Sequence, residues 1–173
     1  MTKLTNLIRT NPREASNYFA LASAYESAGR YQDAAAVYEQ VKAQRLADPG
    51  VYLQIAGFYN RLGDFEKTVA ALAERAALDP SNAEGYYTLA TFYWDKAYRD
   101  SRLADEAKRV YIAKGLEHVD RALALRTDYA DAMVYKNLLL RSQAMLETDD
   151  VRRQALIAEA DRLRAEALRL KKR

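Results

Sequence analysis

The side chains that most often perform catalysis are scarce in this 173-residue chain, which has no cysteine and a single histidine, His118. Without cysteine, no disulfide, zinc-thiolate site, iron–sulfur cluster or cysteine nucleophile can form. A metal site would need further carboxylate or amide ligands beside His118, and a serine-histidine-aspartate site would have to use the same residue. No carboxylate pair, glycine-rich phosphate loop or nucleophile motif stands out. We therefore predict that the protein is not an enzyme and binds neither cofactor nor metal, and that His118 is a half-exposed histidine on a helix.

The charges also limit the classes of partner. The net charge is +3, but residues 152–173 hold eight Lys/Arg against three Asp/Glu, which is +5 and leaves −2 for residues 1–151. The basic excess is thus a property of the tail, and we expect no nucleic-acid partner. No run of 18 apolar residues exists, so we expect no membrane span. The N-terminus lacks the apolar segment of a signal peptide, which predicts a cytoplasmic protein, or an exported one if the chain is a trimmed or processed form.

The elements that would position any binding residues are predicted to be helices in a repeat. Only six glycines and three prolines interrupt an alanine-rich, charged chain. Residues of similar type recur every 34 positions. The recurring sets are Tyr18, Tyr52 and Tyr86; Leu21, Ile55 and Leu89; Ala22, Ala56 and Ala90; Tyr25, Tyr59 and Tyr93; and Gly29 and Gly63. So many positions in register indicate a structural repeat.

Each repeat has the pattern of two helices. The first helix carries the tyrosine, leucine and alanine positions on one face, and Gly29 or Gly63 closes it with a left-handed cap. After the second helix, Asp48-Pro49 and Asp79-Pro80 are expected to start the next first helix. Ser81 and Glu84 are expected to form a capping box there.

This pattern resembles the tetratricopeptide repeat family. The resemblance implies an all-α fold, a right-handed superhelical solenoid of antiparallel helix pairs, with about four pairs and a leading half-unit. We predict one domain over residues 1–173. Its predicted parts are a stub of a second helix at 1–14, repeats at 15–48, 49–82 and 83–129, and a degenerate repeat with a capping helix at 130–173.

Two segments depart from the repeat. The stub at 1–14 lacks a first helix, so it is either a short cap or the remainder of a longer solenoid. The third repeat contains about thirteen extra residues near 98–110, within which Ser101 is expected to cap a helix that ends near Leu125. The extra residues either contact a partner or have no role.

The resemblance also implies a scaffold that binds a peptide or protein segment on its concave face. In that family the groove positions lie beside the packing positions of each first helix. On this chain the groove residues are predicted to be Phe19, Ser23, Glu26, Leu53, Asn60, Arg61, Tyr87, Thr91, Trp94 and Asp95. Among them, Phe19, Leu53 and Tyr87 form an apolar row 34 residues apart, and Trp94 lies two turns after Tyr87. Apolar and aromatic side chains in such places are favoured anchors for a partner.

The alternative function is structural, because a solenoid with an unmatched first helix has apolar surface at its ends. Copies would then assemble end to end as a homo-oligomer. The residues predicted to mediate this contact are Leu4, Leu7, Ile8, Leu156, Leu163 and Leu170. They form one apolar stripe on the first predicted helix and one on the last.

Overall fold

A computed structural model describes residues 2–44 and 48–172, and all regular structure in these two stretches is helical. The helices are α1 Thr2–Thr10, α2 Ala15–Ser27, α3 Tyr31–Ala43, α4 Pro49–Arg61, α5 Phe65–Leu78, α6 Ala83–Arg99, α7 Asp105–Leu125, α8 Ala130–Leu146 and α9 Asp150–Lys171. Consecutive helices pack as pairs, so the predicted all-α fold class is confirmed. Met1, residues 45–47 and Arg173 lie outside the described residues, as do the parts of the predicted stub, first repeat and basic tail that contain them.

The chain divides into two compact units, Met1–Leu78 and Asp79–Arg173. In unit 1, α2 pairs with α3 and α4 pairs with α5, while α1 packs against α2. The alanines of the repeat, Ala22, Ala34 and Ala56, are buried, which lets the paired helices approach closely. The large repeat residues Tyr18 and Tyr52 are also buried, as the periodic pattern predicts for packing positions.

The first helices of unit 1 end as their glycines predict. Gly29 and Gly63 have φ values of 71° and 72°, a left-handed conformation that glycine adopts without steric cost. After the end of α2, Gly29 N–H donates to the Glu26 carbonyl at 2.9 Å and Arg30 N–H donates to the Tyr25 carbonyl at 2.9 Å. These two bonds satisfy carbonyl groups that the end of a helix leaves free.

The pair α6 and α7 in unit 2 is longer than the pairs of unit 1. Helix α6 has 17 residues against 13 in α4, and α7 has 21 against 14 in α5. The extra length lies at the end where α6 meets α7, within and beside residues 98–110. Beyond this extension, Gly115 allows α7 and α8 to pack closely, because a Cβ there would lie 2.7 Å from a methyl group of Leu139.

Two predicted helix starts in unit 2 are wrong. Helix α6 begins after Asn82, whose side chain accepts a hydrogen bond from Glu84 N–H at 3.0 Å, whereas Ser81 donates to Asp79 at 3.1 Å. Pro80 therefore lies in the turn before α6. Ser101 also lies in a turn, because α7 begins at Asp105.

The last pair replaces the usual small and apolar residues of the repeat by polar ones that find partners. Lys136 on α8 pairs with Asp120 of α7 at 2.8 Å and with Glu159 of α9 at 3.3 Å. The buried side chain of Asn137 accepts a hydrogen bond from Arg141 at 2.9 Å. These contacts connect three helices, so the degenerate sequence of this pair still gives a packed structure.

Candidate functional site

In unit 1 the structure brings together two of the predicted groove residues, Glu26 of α2 and Arg61 of α4. Arg61 Nη2 lies 2.8 Å from Glu26 Oε2 and 3.1 Å from Oε1, and the Tyr38 hydroxyl donates to Glu26 Oε1 at 3.2 Å. Burial, and then the Glu26 carboxylate, raise the pKa of Tyr38 to about 12, so this phenol stays a hydrogen-bond donor. The Glu26 carboxylate is thus already occupied by its own chain.

The other predicted residues of unit 1 differ in exposure. The Phe19 ring is half-buried and lies 6.3 Å from the Tyr38 ring, so it packs within its own repeat. Leu53 on α4 is 46% exposed, and Ser23 and Asn60 are exposed as well. Leu53 is therefore the apolar side chain of this set that unit 1 offers to solvent.

In unit 2 the predicted residues Tyr87 and Trp94 belong to a continuous set of aromatic rings, which we call the aromatic row. Its members, in order of contact, are Tyr129, Tyr87, Tyr135, Trp94 and Tyr98. Successive ring centroids lie 5.0, 5.5, 5.5 and 4.9 Å apart, and the Trp94 and Tyr98 rings are stacked with an angle of 11° between their planes. Three rings come from α6, one from α8 and one from the residue that precedes α8.

The aromatic row ranges from buried to exposed. Tyr129 is buried, Tyr87, Tyr135 and Trp94 are half-buried, and Tyr98 is 69% exposed. Burial, and then the neighbouring Tyr135, raise the pKa of Tyr87 to about 12. Within residues 2–44 and 48–172, Trp94 Nε1 is the one buried side-chain nitrogen or oxygen that has no hydrogen-bond partner. An unpaired buried N–H group costs about 1–3 kcal/mol of free energy. The packing of the neighbouring rings therefore outweighs this cost in the folded protein.

Thr91 and Asp95, the other two predicted residues on α6, are engaged locally. The half-buried Thr91 hydroxyl donates to the Thr88 carbonyl at 2.7 Å, and Asp95 forms an ion pair with Arg99 one turn later. Both side chains thus already form an interaction within α6.

A small cavity, here called the tip cavity, opens at the extended end of α6 and α7. It has a volume of about 180 Å³ and is lined by Ala97, Tyr98, Lys108, Ile112, Ser142, Met145 and Leu146. The end of α8 forms the third wall, and Arg109 donates a hydrogen bond to the Leu146 carbonyl there. Met145 is 85% exposed, so two large side chains, Tyr98 and Met145, stand in solvent beside this cavity.

His118 lies on α7, as predicted, with its ring half-buried against tyrosines of α6. The ring centroids of Tyr93 and His118 lie 5.5 Å apart at an interplanar angle of 13°, and Tyr86 lies 6.5 Å away. Burial lowers the pKa of His118 below its usual 6.5, opposed by Glu117 and assisted by Lys114. The described residues contain no group of three or more histidine, cysteine or acidic side chains that could hold a metal ion.

The lowered pKa of His118 predicts that the protein loses stability as the pH falls. The unfolded chain binds a proton at pH values where the folded imidazole is still neutral, so stability is highest above the unfolded pKa of about 6.5 and decreases below it, down to the folded pKa. Thermal unfolding between pH 8 and pH 5.5 would measure this slope. In the His118→Gln variant the slope should be absent, and an equal slope in both proteins would assign the effect to other groups.

The residues proposed for self-assembly lie on α1 and α9. Leu7 is 37% exposed, whereas Leu4, Ile8, Leu156, Leu163 and Leu170 are half-buried. Because α9 packs closely along α8, part of the stripe on α9 serves unit 2 itself. Assembly through these residues stays a prediction.

Tyr98, Tyr129 and Tyr135 are members of the aromatic row that the sequence pattern did not identify. Tyr98 follows Trp94 by four residues on the same helix, so helical spacing alone would have placed the two rings on one face. Tyr129 is the last residue of the predicted third repeat, and Tyr135 belongs to the degenerate repeat that follows, where the phase of the pattern is lost.

Comparisons with known proteins agree with the fold of paired helices. A family model described as tetratricopeptide repeat matches residues 15–44, which contain α2 and α3. A crystal structure of MamA superposes with a TM-score of 0.65 at 15% identity, covering 98% of this chain and 85% of that one. A MamA RS-1 ArsTM double mutant gives a TM-score of 0.63 at 16% identity, covering 98% and 82%.

A more distant likeness is to a monomeric mutant of IFIT1 with Gppp-AAAA, with a TM-score of 0.55 at 17% identity. It covers 95% of this chain and 35% of that one. At such identities these structures establish the fold alone. No curated protein sequence matches the chain. None of the helices in the described part of the chain is long and apolar enough to cross a lipid bilayer.

Proposed function

We propose that the chain, in which a tetratricopeptide-repeat model matches residues 15–44, is a non-catalytic scaffold that binds a segment of a protein partner on the first helices of its repeats. The observation that carries this proposal is the aromatic row of unit 2. A row of partly exposed rings offers a partner large, rigid contact surfaces, and aromatic side chains are enriched among the residues that dominate binding energy.

The order of exposure along the row supports a binding role. Tyr129 is buried and anchors the row in the core, while Tyr98 at the other end is mostly in solvent. The rings between them are therefore fixed before any partner arrives, so little side-chain entropy is lost on binding. A partner with apolar side chains fits such a surface better than a charged one.

In unit 1 we propose a smaller contact at Leu53, Ser23 and Asn60. Leu53 supplies exposed apolar surface, and the two polar side chains offer hydrogen bonds. Glu26 and Arg61 already neutralise each other, so they contribute to the shape of this surface more than to its charge.

The binding function is tested with the fluorescence of Trp94, the only tryptophan of the chain. Short random peptides displayed on phage are selected on the immobilised protein, and the enriched peptides are synthesised and titrated. We expect the emission of Trp94 to shift to shorter wavelength on binding, because a bound segment covers the ring. If the selected peptides bind and leave the emission of Trp94 unchanged, the aromatic row is not the binding surface.

A further inference from the structure

The tip cavity is a feature of unit 2 that the concave face of a repeat does not require. Its walls are the last turn of α6, the beginning of α7 and the last turn of α8. It is the additional length of α6 and α7 that brings Tyr98, Lys108 and Ile112 to this place. The segment that departs from the repeat in the sequence is therefore the segment that builds the cavity.

The size and lining of the cavity indicate what it can hold. At about 180 Å³ it is smaller than the 300–1,000 Å³ typical of small-molecule pockets, so one side chain is a better match than a metabolite. Most of the lining residues are apolar, and Ile112 at its wall is buried. Tyr98 and Met145 remain exposed beside it, although burying such side chains is favourable by about 1.5–3 kcal/mol each.

The charges around the cavity favour a bound side chain that has an acidic residue next to it in the partner's sequence. Lys108 is the one charged residue in the lining, and its nearest carboxylate, Asp105, lies 3.9 Å from Nζ and is largely in solvent. Arg109 adds a second positive charge where it binds the Leu146 carbonyl. The acidic Glu147 at this end accepts hydrogen bonds from the backbone N–H groups of Thr148 and Asp149, which occupy one of its carboxylate oxygens.

We propose that the tip cavity binds a bulky apolar side chain of a protein partner, with an adjacent acidic residue of that partner paired to Lys108. This inference rests on the proposed scaffold function and extends it. Tyr98 belongs both to the aromatic row and to the cavity, so a segment bound along the row reaches the cavity at its end. The partner is thereby defined as a segment with an apolar residue next to an aspartate or glutamate.

The probes are three acetylated and amidated tetrapeptides of sequence Gly-Phe-Glu-Gly, Gly-Phe-Gln-Gly and Gly-Ala-Glu-Gly. Carbon-13 methyl NMR follows the methyl group of Met145, which is assigned with the Met145→Leu variant. We expect the first peptide to shift this signal, the second to bind about fivefold more weakly because it lacks the charge, and the third to cause no shift. If the first peptide leaves the signal unchanged up to its solubility limit, the proposal is overturned.

Two variants make the test specific. In Lys108→Gln the preference for the glutamate peptide over the glutamine peptide should fall to about twofold or less, whereas in Val110→Ala the roughly fivefold preference should remain. Val110 is a suitable control because it is exposed on the same helix and does not line the cavity. An undiminished preference for glutamate in Lys108→Gln would contradict the assigned ion pair.

The outcome can be separated from that of the scaffold proposal. The Tyr87→Ala change removes a ring that does not line the tip cavity, so it should weaken long selected peptides and leave the tetrapeptides unaffected. If Tyr87→Ala weakens the long peptides and the tetrapeptides do not bind, the scaffold proposal stands and the cavity proposal falls. If the tetrapeptides bind and Tyr87→Ala has no effect on the long peptides, the cavity proposal stands without the aromatic row.

Discussion

Replacing Phe58 by alanine is expected to lower the free energy of unfolding of unit 1 by about 3–5 kcal/mol. Phe58 is fully buried, and its ring lies 4.7 Å from the Tyr38 ring and 5.0 Å from the Tyr59 ring. The truncation removes the contacts of a whole aromatic ring and leaves a cavity between two tyrosines whose positions are fixed by hydrogen bonds to Glu26 and Glu39. Urea unfolding followed by circular dichroism measures the loss.

The matched control for this prediction is Leu62→Ala, at the end of the same helix. Leu62 is 42% exposed, so its truncation should change the stability by about 0.5 kcal/mol or less. Equal losses in the two variants would show that Phe58 is not the centre of packing in unit 1.

The second large effect is expected for Gly115→Ala in unit 2, with a loss of about 1–3 kcal/mol. Alanine is the better helix former by about 0.5–1 kcal/mol, so on propensity alone the change would stabilise α7. The added methyl group, however, would lie 2.7 Å from Leu139 Cδ2 and 3.4 Å from Tyr93 Cβ. Because Leu139 is fully buried, it has no free space into which to move.

A double-mutant cycle identifies the cause. Leu139→Ala alone should cost about 2–5 kcal/mol, but in combination with Gly115→Ala the total loss should be smaller than the sum, since the clash is gone. Thermal and urea unfolding of the four proteins give the coupling energy. Additive losses would mean that Gly115 is required for a reason other than its contact with Leu139.

The sequence predicted the helices of unit 1 well because their boundaries depend on local chemistry. Gly29 and Gly63 end their helices through a backbone conformation that other residues rarely adopt, and Asp48-Pro49 starts α4 as expected. The start of α6 was harder, because Ser81 and Asn82 are both good caps. Both side chains donate a hydrogen bond to the carboxylate of Asp79. It is Asn82 that caps α6, because its side-chain oxygen accepts the hydrogen bond from Glu84 N–H.

The core of unit 1 shows what the repeat does not encode. The position one repeat before Phe58 is Ala24 and the position one repeat after it is Phe92, which is only half-buried, so the 34-residue pattern alone does not show that Phe58 is the largest fully buried side chain described. Its burial involves the ring of Tyr38 on α3, which only the folded chain brings against α4.

The aromatic row was predicted in part for the same reason. Tyr87 and Trp94 follow from their places on a regular first helix, whereas Tyr135 lies on α8, where Lys136 and Asn137 interrupt the pattern. Glu26 and Arg61 were predicted as separate groove residues, and their ion pair depends on the distance between α2 and α4. Spacing along the chain specifies which face of a helix a residue occupies. It does not specify whether a residue on another helix of the same chain already forms a hydrogen bond or ion pair with it.

The central claim, that the aromatic row binds a protein segment, is tested most directly by the affinity of one selected peptide for three proteins. These are the wild type, Tyr87→Ala, and Tyr31→Ala as a control that removes a 50% exposed ring of unit 1. Calorimetry should show at least about tenfold weaker binding to Tyr87→Ala and unchanged binding to Tyr31→Ala, with both variants folded by circular dichroism. Wild-type affinity in a folded Tyr87→Ala variant would contradict the account.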